Sequence, residues 1–126
     1  MANVEIKVKR LRGGEDIALP AYETKGASAM DIRAAVQETV ILNPGDIKMI
    51  PTGLAVSVPL GYEVQIRPRS GLALKHGIGV VNAPGTIDSD YSGEIGSILF
   101  NFGETPCEIR MGDGFAQMVW SRVYGG

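Results

Sequence analysis

Seventeen glycines and seven prolines are spread along the 126 residues instead of being gathered into a linker. They punctuate short apolar stretches at the intervals expected of an all-β sandwich or barrel, and no domain boundary stands out. Val4, Ile6 and Val8 alternate with Glu5, Lys7 and Lys9, the period of a strand with one buried face. Tyr62, Val64 and Ile66 repeat that pattern against Glu63, Gln65 and Arg67. Further strands are expected over residues 29–34, 39–42, 47–50, 54–58, 95–101 and 115–123. Asn43-Pro44-Gly45-Asp46 and Met111-Gly112-Asp113-Gly114 carry the residues of chain reversals. One short helix is predicted, capped by Ser70, continued through residues 72–75 and ended by Gly77.

Composition narrows the function classes. The length fits one domain, residues 1–126, with a modest core. Hydrophobic residues make up 44% and charged residues 21%, and the longest apolar run falls far short of the roughly 20 residues of a membrane helix. A net charge of -2 and a pI near 5.3 argue against direct nucleic-acid binding, though a local basic cluster can still hold phosphates. Cys107 is the single cysteine, so an intrachain disulfide is excluded, and the first residues lack the apolar stretch of a secretory signal. A cytoplasmic location is expected. With one histidine and one cysteine there is no soft-ligand zinc set; a metal here is expected to be a hard ion held by oxygens, with Mg2+ the natural candidate.

Three segments carry chemistry. At Arg69-Ser70-Gly71 a guanidinium, a hydroxyl and a glycine stand where the expected helix begins, and unpaired backbone N–H groups there favour an anion. The same residues also read as a helix cap with Arg69 in an ordinary ion pair. Asp31 lies where a small-residue loop, Gly26-Ala27-Ser28-Ala29-Met30, enters a strand; a turn-bonded carboxylate is the plainer reading. The hairpin from Asn82 to Glu94 holds Asn82, Asp88, Ser89, Asp90 and Tyr91, more polar groups than a connection requires, and Gly85 permits close backbone approach.

In combined order and spacing these segments resemble motifs of the homotrimeric dUTP diphosphatase (dUTPase) family, from about residue 5 to about residue 120. The resemblance implies a distorted β-barrel, jelly-roll-like fold with one short helix, assembling as a homotrimer. It implies Mg2+-dependent hydrolysis of dUTP to dUMP and pyrophosphate. Arg69, Ser70 and Gly71 would bind phosphate; Asp31 would support the metal through water. The hairpin, with Asn82, Gly85, Thr86 and Ile87, would receive deoxyuridine, and Tyr91 would stack under the deoxyribose. Asp88 would deprotonate the water that attacks the α-phosphorus. Asp90 is expected to be structural.

Gly112-Asp113-Gly114-Phe115-Ala116-Gln117-Met118 resembles the family's Gly-Asp-Arg-Ile-Ala-Gln-Leu pattern, with Gln117 at the phosphate-contacting position and Gly114 where the family has arginine. That departure implies either a compensated loss or weaker phosphate binding. The family's glycine-rich fifth motif, borne on a C-terminal arm, has no counterpart in these residues, so binding with reduced turnover is expected. Two other readings stand beside the hydrolase: a dUTPase-like regulatory trimer acting on a protein partner that the sequence does not identify, and a dCTP deaminase, which the hairpin fits poorly.

Overall fold

The structure, a computed structural model, describes residues 7–15, 29–81, 85–87 and 93–122. The strands are β1 (Lys7–Arg10), β2 (Met30–Arg33), β3 (Val40–Leu42), β4 (Ile47–Pro51), β5 (Leu54–Ser57) and β6 (Tyr62–Pro68). After helix α1 (Ser70–His76) come β7 (Ile78–Val80), β8 (Gly85–Ile87), β9 (Gly96–Asn101), β10 (Cys107–Ile109) and β11 (Gly114–Arg122). Among the described residues the expected all-β architecture with one short helix is what forms.

Every pairing among the described strands is antiparallel. The strands make a four-stranded sheet in the order β2-β11-β6-β8, a three-stranded sheet β4-β9-β7, and the pairs β1-β5 and β3-β10. One apolar cluster draws on all of them: Ile32, Val64 and Phe115 from the largest sheet, Leu99 from the next, Val56 and Leu42 from the pairs. Alternation explains the facing. On β6, Val64 and Ile66 are buried while Glu63, Gln65 and Arg67 stay at least partly exposed, as the sequence predicts. Val8 on β1 packs against the core between exposed Lys7 and Lys9; Val4 and Ile6 lie outside the described residues.

Buried polar groups fasten the sheets to one another. Asn101 donates from Nδ2 to Leu42 O (2.8 Å) and Thr105 O (2.9 Å), and its Oδ1 accepts from Gly103 N–H (2.8 Å). These bonds join β9 to β3 and to the loop before β10. Thr52 Oγ1 donates to Ile95 O (2.6 Å) and accepts from Leu54 N–H (3.2 Å). Satisfied in this way, each group avoids the desolvation cost of an unpaired buried polar atom.

Some boundaries differ from expectation for identifiable reasons. Ala34 leaves the β2 ladder because its N–H bonds Asp113 O (2.8 Å) and its carbonyl accepts from Gly112 N–H (2.8 Å). The second reversal is one residue earlier than predicted: Asp113 N–H bonds Arg110 O (3.0 Å), and Gly112 supplies the positive φ of 85° at the third position. Asn43-Pro44-Gly45-Asp46 turns as expected, with Asp46 N–H on Asn43 O (2.9 Å). Ser70 does not cap α1. Arg69 takes the N-cap position with extended backbone and no side-chain capping bond, and Ser70 is the first helical residue. Gly77 ends the helix in the left-handed region as predicted, at φ 68°.

Candidate functional site

The largest sheet organises the site through its register. Gln117 on β11 lies opposite Asp31 on β2 and opposite Arg67 on β6. Neighbours across antiparallel strands share a face, so the three form one polar row. Gln117 Nε2 donates to Asp31 Oδ1 at 3.3 Å, a long bond that orients the carboxylate. An amide nitrogen carries two hydrogens, so the second remains to meet an anion. Arg67 Nη2 donates to Gln65 Oε1 (2.8 Å), and Gln65 Nε2 to Glu63 Oε1 (2.8 Å), continuing the polar face along β6.

β6 delivers Arg69 just beyond its end, at the entrance to α1. The Arg69 Nη1 group donates to Gly114 O at 2.8 Å, tying the start of the helix to the start of β11. A Cβ built on Gly114 would lie 3.2 Å from Arg69 Nη1 and 3.7 Å from Asp31 Oδ2. The loss of a side chain at position 114 is therefore partly filled by Arg69. Helix α1 has no acidic residue in its first turn and carries Lys75 and His76 in its last, a charge distribution that complements the helix dipole only at its C-terminal end. Ser70 and Gly71 are exposed at its start, and a Cβ on Gly71 would meet nothing within 4 Å.

The third segment is described in part. β8 pairs with β6, placing Gly85 opposite Ile66, Thr86 opposite Gln65 and buried Ile87 opposite Val64. The strand backbone of the predicted nucleoside hairpin thus runs beside the strand that leads to Arg69. Asn82, Asp88, Asp90 and Tyr91 lie outside the described residues. Arg69, Asp31 and Gln117 converge, with Ser70 and Gly71 alongside. Missed by sequence reasoning was the part played by the Gly114 carbonyl, which no side-chain motif announces.

A cleft of about 640 Å³ lies elsewhere, lined by Arg12, Glu15, Gln37, Gly53 and Glu94 among others. None of the predicted site residues among the described residues borders it, and the Glu94 carboxylate accepts the Gly53 N–H at 3.1 Å. The cleft has its own cation in Arg12, and it is the polar face of the largest sheet that brings Arg69, Gln117 and Asp31 together.

A guanidinium, an amide and a carboxylate are gathered on one face of an antiparallel sheet, next to an acid-free helix start, and guanidinium and amide N–H groups are chemically suited to phosphate oxygens. The family model described as dUTPase matches residues 15–125, and the chain belongs to that family. It is 54% identical over 112 residues to the deoxyuridine 5'-triphosphate nucleotidohydrolase of Desulfotalea psychrophila, covering 89% of this chain and 75% of that one. The enzyme of the same name from Wolbachia pipientis wMel is 48% identical over 122 residues, 97% of this chain and 80% of its own. Among solved structures, a mutant dUTPase from phage phi11 of S. aureus superposes with a TM-score of 0.86 at 26% identity, covering 98% of this chain and 94% of that one. That likeness bears out the dUTPase-type fold.

Proposed function

We propose that this chain hydrolyses dUTP to dUMP and pyrophosphate, holding the triphosphate on the Arg69–Gln117–Asp31 face and using Asp88 to activate water. The observation that carries this reading is the convergence of those three side chains through sheet register and the Gly114 carbonyl. Family membership over residues 15–125 supplies the choice of nucleotide.

The donor chemistry fits Mg2+. Asp31 is a half-buried hard oxygen donor with one oxygen engaged by Gln117, and no cluster of three His, Cys, Asp or Glu is found among the described residues. A lone carboxylate suits an ion that keeps its waters and takes phosphate oxygens. The phage phi11 relative coordinates a structural Mg(II) ion. When bound here, Mg2+ supplies charge neutralisation to the triphosphate, with Asp31 holding it.

The chain's own groups do the rest. Arg69 and the N–H groups at the start of α1 bind phosphate oxygens, and Gln117 adds an amide N–H while keeping Asp31 aligned. The hairpin backbone around β8 recognises the uracil edge, Asn82 adds a side-chain bond, and Tyr91 packs beneath the sugar. Asp88 takes a proton from water as its oxygen bonds the α-phosphorus; the bond from that phosphorus to the bridging oxygen breaks and pyrophosphate leaves. Such general-base assistance is worth about 10² to 10⁴ in rate. The family also leads us to place the chain in a homotrimer.

Product analysis with dUTP, dCTP, dTTP and UTP, each with and without Mg2+, tests the reading. Selective, Mg2+-dependent dUMP and pyrophosphate support it; ammonia from dCTP, or no selectivity among the four, overturns it. Asp88→Asn is expected to abolish hydrolysis while dUTP still binds, and retained turnover would move the base elsewhere.

A further inference from the structure

We propose that Gly114 is a positioning residue for the phosphate-binding arginine: the side chain it lacks leaves a notch in which its own carbonyl holds the Arg69 guanidinium beside Asp31. The proposal deepens the reading of Arg69 as a phosphate donor and rests on it.

Strand geometry first explains why position 114 belongs to this face. Gly114 and Gln117 are three residues apart, and in a regular strand they would point to opposite sides. The register shifts between Gly114 and Ala116: Gly114 lies opposite Arg33, whereas Ala116 lies opposite Ile32. A bulge of this kind inserts a residue and re-aims what precedes it, bringing position 114 onto the side of Asp31 and Gln117.

Backbone conformation does not require glycine here. Among the described residues six glycines have positive φ, Gly112 two residues earlier being one of them, and Gly114 is not. What a side chain would meet is the site itself: Arg69 Nη1 at 3.2 Å, Arg69 Cζ at 3.9 Å and Asp31 Oδ2 at 3.7 Å from an added Cβ. The smallest residue therefore gives the guanidinium its place, and the 2.8 Å bond from Nη1 to Gly114 O keeps it there.

A guanidinium has five N–H groups in a fixed fork. Committing one to a backbone carbonyl sets the plane of the other four before any phosphate arrives, so less side-chain freedom is lost on binding. A Cβ at position 114 would touch both Arg69 Nη1 and Asp31 Oδ2, so a side chain there would disturb the anion-binding and cation-binding groups together. Gly114 touches no phosphate in this scheme; it acts through Arg69.

The test measures binding of an α,β-imido analogue of dUTP, and of deoxyuridine, to the unmodified chain and to Gly114→Ala, Gly114→Val, Arg69→Ala and the Gly114→Val/Arg69→Ala double variant. Charge-assisted hydrogen bonds of this type correspond to about 10- to 100-fold in affinity. Arg69→Ala and Gly114→Val are each expected to weaken the analogue by that order, Gly114→Ala by less, and the double variant to be no weaker than Arg69→Ala alone. Deoxyuridine, which has no phosphate, should bind all of them equally, a split that a general folding defect would not produce. Additive losses, or equal losses for deoxyuridine and the analogue, overturn the proposal. So does unchanged analogue binding by Gly114→Val when Arg69→Ala weakens it. If Arg69→Ala itself has no effect, the phosphate role of Arg69 falls, and this inference with it.

Discussion

At the scale of single residues, the site depends on how few atoms hold each charged group in place. Among the described residues Asp31 is oriented by one 3.3 Å bond from Gln117, and what it adds beyond that bond is its charge. Asp31→Asn is expected to raise the Mg2+ concentration needed for half-maximal hydrolysis at least about tenfold, the effect of losing one charged ligand, with little change in Mg2+-free dUMP binding. A Mg2+ titration of initial rates checks this. Cys107 behaves differently: burial, with Asp113 and Glu108 adding, pushes its thiol above the ordinary value of 9.0. The folded thiol therefore holds its proton to higher pH than the unfolded one. Its contribution to stability is complete below 9.0 and is lost as pH rises through the folded value. Denaturation followed from pH 8 to 10.5 should show that loss, and Cys107→Ala should flatten it.

At the scale of elements, glycine-centred approaches decide where the chain can turn back. Gly77 closes α1 at φ 68°, and a Cβ there would lie 2.6 Å from Gly103 N. Gly77→Ala meets both a left-handed backbone and a backbone clash, and is expected to cost about 1–3 kcal/mol, read as a lower Tm. Pattern made some elements legible beforehand. Tyr62, Val64 and Ile66 announce β6 because seven residues give several turns of a two-residue period. β7 and β10 are three residues each, too short for any period to appear, and are fixed by pairing with β9 and β3. The capping role expected of Ser70 failed because the backbone puts Arg69 at the N-cap, a choice that side-chain preference alone does not reveal.

At the scale of the molecule, one core cluster serves four sheets, and the polar face of the largest is left to the site. The other large sheet presents a different surface. Ile47 and Met49 on β4 are 58% and 61% exposed and pair with Phe100 and Ile98 on β9. An apolar strip of that sort is what subunit contacts cover. The homotrimer proposed from family membership is expected to sediment as three 13.4 kDa copies at micromolar concentration, and a monomeric mass would overturn it. Among the described residues no helix is long and apolar enough to cross a membrane.

The sequence alone determined the β architecture, because glycine, proline and alternation act locally. It also singled out Asp31, Arg69 and Gln117 as candidates, because chemistry at a site is limited by residue type. Their assembly was a tertiary matter. Asp31 and Gln117 are 86 positions apart and meet through strand register, while Arg69 reaches Gly114 across 45. The bulge that turns position 114 toward them exists only as a mismatch between two paired strands. What Gly114 contributes, a carbonyl and an unfilled space, belongs to every glycine in the chain, and only packing distinguishes this one.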